Sequence, residues 1–170
     1  MAKSKKPITP TWGGLLDLGS STFDELRTAG SGATRLVQCG GGRDAVVITP
    51  LQRGLAALDR LGLQVEDGYS VIADHIRQEL IVLIASGTTS DWDDTQGVRV
   101  LSHGHWLLVP QPGGDGSLAA AWLSRPKTAG PRHRWVDAND QPSLGSVPVA
   151  IRATALHDAL TAVDETIVPT

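Results

Sequence analysis

The chain has 170 residues, and it is short of the groups from which most recognisable sites are built. Cys39 is its only cysteine, which excludes an internal disulfide and a cysteine-based zinc site within one chain. Aromatic residues make up 4% of the sequence, with one Phe and one Tyr, so the core has to be aliphatic. The five Trp are its scarce bulky pieces. Charge of one sign is also missing. A net charge of −3 gives no whole-chain positive field to draw in nucleic acid, and leaves room only for local basic patches. No apolar run approaches the roughly 20 residues that a membrane-spanning helix needs. Lys3, Lys5 and Lys6 are not followed by an apolar stretch, so the N-terminus does not read as a signal peptide. The expectation is a cytoplasmic protein with no membrane partner.

What is present fits one domain with a real core. Residues 1–14 are polar and basic, and are broken by Pro7, Pro10 and Gly13-Gly14, which predicts a flexible basic tail. Residues 15–170 are then a single α+β domain. Thr22-Phe23-Asp24-Glu25 has the capping-box pattern, predicting a short helix from Thr22 to about Ala29. Leu36-Val37 and Val46-Val47-Ile48 read as strands. Thr49-Pro50 opens a helix on which Leu51, Leu55, Leu58 and Leu61 recur at helical spacing, and Gly62 closes it. Tyr69 to Ala73 and Leu80 to Ala85 are two more strands joined by a polar turn. Gly97 to Pro112 reads as a hairpin of two apolar strands turned at Gly104, with His103 and His105 in its loop. Ala119 to Leu123 is another strand, and Leu156, Leu160, Val163 and Ile167 line one face of a last helix. The fold class is therefore α+β, with a mixed, mostly antiparallel sheet and about three helices.

From Asp44 to Pro126 the order of elements resembles the bifunctional DNA primase/polymerase domain, a branch of the archaeo-eukaryotic primase family. The residues that carry the likeness are the Leu/Ala-rich helix from Gly54 to Gly62, the segment His103-Gly104-His105-Trp106-Leu107-Leu108-Val109-Pro110-Gln111-Pro112, and Trp122 on the strand that follows. The resemblance implies a primase/polymerase-like fold. It also implies a pair of carboxylates, one residue apart, on the strand before the helix. In the family these hold divalent metal against a nucleoside triphosphate, because phosphoryl transfer is chiefly charge neutralisation and positioning. Here that stretch is Val46-Val47-Ile48-Thr49, with no carboxylate to hold a hard cation. The family's His after the next turn falls near Glu79-Leu80-Ile81, where there is none.

The resemblance thus implies a fold without its ordinary mechanism: an accessory or regulatory protein, no catalytic residue, no cofactor, and a nucleic acid or protein partner. The alternatives are an active nucleotidyl transferase with relocated acids from Asp44, Asp91, Asp93 and Asp94, or a structural interaction module. Two sets of residues stand out as candidate sites. Arg125, Lys127, Arg132 and Arg134 followed by Trp135 mix cations with a ring, which suits single-stranded nucleic acid. His103 and His105, two residues apart, have a spacing compatible with a metal pair.

Overall fold

The computed structural model describes residues 10–40, 42–85, 87, 92–124 and 151–167. In chain order they form α1 (Ser20–Thr28), β1 (Thr34–Gln38), β2 (Arg43–Ile48), α2 (Leu51–Arg60), β3 (Val71–Asp74), β4 (Glu79–Ala85), β5 (Val98–Leu101), β6 (Trp106–Pro110), β7 (Gly116–Ser117), β8 (Ala120–Ser124) and α3 (Ala153–Ile167). The class is α+β, with three α-helices among the described residues. Strand order is β5-β2-β4-β3-β8-β7 in a six-stranded sheet, and β1 pairs with β6 in a separate two-stranded ribbon. Among the described residues every pairing is antiparallel, so the single mixed sheet expected from the sequence is there two antiparallel ones.

The strand β2 is central and buried from Asp44 to Ile48, which accounts for its unbroken apolar run: helices cover one face and the ribbon the other. On the helical face Val46, Ile48, Val71, Ala73, Leu80, Val82 and Ile84 pack against α2 and α3. Leu55 and Leu58 of α2 and Leu156 and Leu160 of α3 are closed off from solvent there. The helical spacing of leucines predicted this stripe; Ile167, expected on it, is 66% exposed at the end of α3. Close approach of α2 to β4 depends on Gly54, where a β-carbon would lie 2.6 Å from Cδ2 of Leu80. Arg53 fastens α3 to α2. Its Nε and Nη2 donate to the two carboxylate oxygens of Asp164 at 2.7 and 2.6 Å, and Nη1 donates to the Gln96 carbonyl at 2.7 Å. All three nitrogens of the guanidinium are used.

On the opposite face Ala45, Val47, Ile72, Ile81 and Leu83 meet Val37, Leu107 and Val109 of the ribbon. The expected hairpin from Gly97 to Pro112 does not form. The turn is there, closed by the His105 N–H to the Ser102 carbonyl at 3.0 Å, but β5 pairs with β2 and β6 with β1. The segment is a corner that carries the chain from sheet to ribbon.

Two further expectations are displaced. Trp12, placed by the sequence in the flexible tail, is fully buried; its ring N–H donates to the Leu63 carbonyl, and its backbone N–H and that of Gly13 donate to Asp59. Residues 1–9 lie outside the described ones. Helix α1 starts at Ser20 behind Gly19 rather than at Thr22, and Glu25 accepts from the Ser21 hydroxyl instead of closing a capping box.

Candidate functional site

Alternation along the strands decides which side chains share the ribbon-side face. Val47 pairs across with Ile81 on one side and Arg99 on the other; Asp74 pairs with Glu79, and Ala45 with Leu101. Since opposed residues point to the same face, Val47, Ile81, Asp74, Glu79, Arg99 and Leu101 all emerge together. The ribbon covers only part of this surface. Beside it lies an open trough of about 490 Å³ with Val47 and Ile81 in its floor, the four charged side chains Asp74, Arg77, Glu79 and Arg99 along it, and Leu36, Trp106 and Leu108 of the ribbon opposite. Trp106 is 54% exposed and Leu36 55%, and Ile76 at the β3–β4 turn 69%. Exposed apolar bodies around one trough are unusual on a surface, where large apolar side chains normally stand singly.

Both carboxylates in the trough are engaged. Asp74 Oδ1 accepts the backbone N–H groups of Ile76 and Arg77 at 3.0 and 2.8 Å, which holds the β3–β4 turn. Its other oxygen stands 4.0 Å from Nε of Arg77. Glu79 accepts from Arg99 Nη2 at 2.8 Å, the pair reaching across β2 above Val47. His75, in the same turn, has a ring Nε2 buried with no hydrogen-bond partner. Burial holds its pKa below the ordinary imidazole value, against the opposing pull of Asp74.

The residues singled out from sequence are differently placed. His103 and His105 are both exposed at the corner. His103 lies against Gly40, where a β-carbon would come within 3.1 Å of its Cα; His105 Nδ1 sits 3.2 Å from the Ser102 carbonyl. Asp93 and Asp94 are exposed. Among the described residues no group of three or more His, Cys, Asp and Glu side chains stands together to hold a metal ion. Asp44 is buried at the start of β2, accepts the Gly87 N–H at 3.2 Å through Oδ2, and does not line the trough. Burial, and then the Asp44 charge, push the nearby Cys39 thiol up to about 11, so the lone cysteine is a poor nucleophile near neutral pH. Asp91 and the set Arg125, Lys127, Arg132, Arg134 and Trp135 lie outside the described residues.

Sequence reading missed Asp74, Arg77, Glu79, Arg99 and Trp106 as a group. A signal existed in the alternation Glu79-Leu80-Ile81 and Arg99-Val100-Leu101, each with a charge and an apolar side chain on one face. What alternation omits is which strand lies next to which. No family model matches the chain, and no curated protein or solved structure matches it either.

Proposed function

We propose that the chain is a non-catalytic, primase/polymerase-like accessory or regulatory protein whose trough binds single-stranded nucleic acid. One observation carries this reading. Beside Val47, on the strand where the resemblance requires metal-binding acids, the trough presents the guanidinium groups of Arg99 and Arg77 opposite the exposed ring of Trp106. Cations that follow a phosphate backbone, with an aromatic face for a base to stack on, are how single strands are held without base-pair readout. With a net charge of −3, affinity has to come from this local arrangement and from stacking rather than from long-range attraction.

A second reading has its own observation. Asp74 and Glu79 are direct cross-strand neighbours on the trough face, so a relocated pair of acids is the route by which nucleotidyl transfer would survive. Against it, Asp74 is committed to the turn and Glu79 to Arg99. Titration of a fluorescent single-stranded DNA at two salt concentrations, alongside manganese-dependent extension of a primed template, separates the two readings. We expect salt-sensitive binding that is weakened by Trp106→Ala, and no extension. Extension abolished by Glu79→Gln or Asp74→Asn would overturn the non-catalytic reading. Binding indifferent to Trp106→Ala would remove the trough from it.

A further inference from the structure

We infer that Glu79 is a built-in competitor for the phosphate site of the trough: its carboxylate occupies Arg99 until a ligand phosphate displaces it. The inference rests on the binding reading above and adds the residue that sets its strength. Its basis is a contrast between two arginines. Arg53, 10% exposed, gives Asp164 two parallel hydrogen bonds and spends its third nitrogen on the Gln96 and Thr49 carbonyls, so all three nitrogens are engaged. Arg99 is 48% exposed, and among the described residues its hydrogen bonding is the single contact from Nη2 to Glu79. Glu79 is only 15% exposed and is held on the sheet, so the anion is fixed and the cation is the adaptable partner.

A backbone phosphodiester offers two charged oxygens to the planar guanidinium, and a bidentate phosphate contact is stronger than one monodentate carboxylate contact at a solvated site. The exchange leaves Glu79 still within the trough, close to the incoming negative charge. That residual repulsion makes Glu79 a brake on affinity as well as an occupant. Arg77, whose nearest acid is the turn-bound Asp74 at 4.0 Å, carries no comparable brake.

The test uses the full chain and a fluorescein-labelled oligothymidylate of about 15 nucleotides, near the upper site size of small single-strand binding modules. Glu79→Gln is expected to tighten binding about three- to tenfold, as removal of one charge some 5 Å from a phosphate in water predicts. The salt dependence should steepen, because in wild type added salt also screens the Glu79 repulsion that the variant lacks. Arg99→Gln should weaken binding, and Glu79→Gln should tighten it less in that background than in wild type, because only the repulsion and not the occupancy of Arg99 is then removed. Should Glu79→Gln fail to fold, judged by its thermal melt, Glu79→Asp replaces it. Its shorter side chain withdraws the carboxylate, and a smaller gain in affinity is expected.

Unchanged or weaker binding by a folded Glu79 variant overturns the inference and makes the pair a structural tie between β4 and β5. If Trp106→Ala weakens binding while Glu79→Gln leaves it unchanged, only the competitor role falls. If wild type and Glu79→Gln both bind no oligonucleotide, the binding reading falls with it. Binding by Glu79→Gln but not by wild type supports both.

Discussion

The two faces of the six-stranded sheet are built from the same strands, yet they are finished in opposite ways. The helical face is sealed: α2 and α3 close over it, Gly54 lets the backbone of α2 settle onto Leu80, and the Arg53–Asp164 bridge fastens the lid. The ribbon face is half covered, and its remainder carries charges and exposed apolar groups. The difference teaches where stability and function divide. Side chains on the sealed face are worth their burial; the exposed ones along the trough, such as Leu36 and Trp106, bury less and contribute less to folding.

The sharpest way to break this comparison is truncation on either side. Leu160→Ala, at a position with no exposure, should lower unfolding free energy by about 2–5 kcal/mol, whereas Leu36→Ala at the trough should stay within about 0.5 kcal/mol. Urea titration measures both, and comparable losses would mean that the ribbon wall is as structural as the helical layer. Next in size is Gly54→Ala. Helix propensity favours alanine by about 1 kcal/mol, but overpacking against Leu80 should outweigh it and leave a net loss of about 1–2 kcal/mol.

The two ion pairs supply the third contrast. Arg53→Gln should destabilise by about 1–2 kcal/mol, a moderate loss because Asp164 is 44% exposed and screened. Arg99→Gln should change stability by less than about 0.5 kcal/mol while weakening oligonucleotide binding. The smallest effect expected is one of pH. His75 is favoured neutral in the folded chain, so its contribution is fully present above the unfolded imidazole range near 6.5. It is lost as pH falls through the lowered folded value, because the unfolded chain then binds the extra proton. His75→Gln should flatten the fall of thermal stability as pH is lowered below about 6.5, relative to wild type.

How far the sequence spoke also divides along these faces. The unit of β2, α2 and Gly62 was legible because its signals are local: a β-branched run, a helix start after Pro50, leucines at helical spacing and a terminal glycine. The segment from Gly97 to Pro112 was misread although its turn was placed correctly. A turn between two apolar runs specifies a reversal of the chain but not the strand beside which each run lies, and here β2 and β1 claimed them separately. Trp12 was assigned to a tail because Pro10 and Gly13-Gly14 surround it. Its partners Asp59 and Leu63 are 47 and 51 residues away. The trough was invisible for the same reason: Asp74, Arg77 and Glu79 share one short window, but nothing local brings Arg99 of β5 or Trp106 of the ribbon beside them.

The corner at Ser102–His105 has one more consequence. Because it passes the chain from the six-stranded ladder to a ladder of two, the ribbon's backbone bonds form a ladder separate from that of the sheet. Amide hydrogens of Val37 and Leu107, a hydrogen-bonded pair of the ribbon, should therefore exchange with solvent deuterium through a cheaper partial opening than those of Val46 and Val82. A strand gripped at once by Trp106 and Arg99 would rivet these ladders together, and slowed exchange along the ribbon would be its footprint.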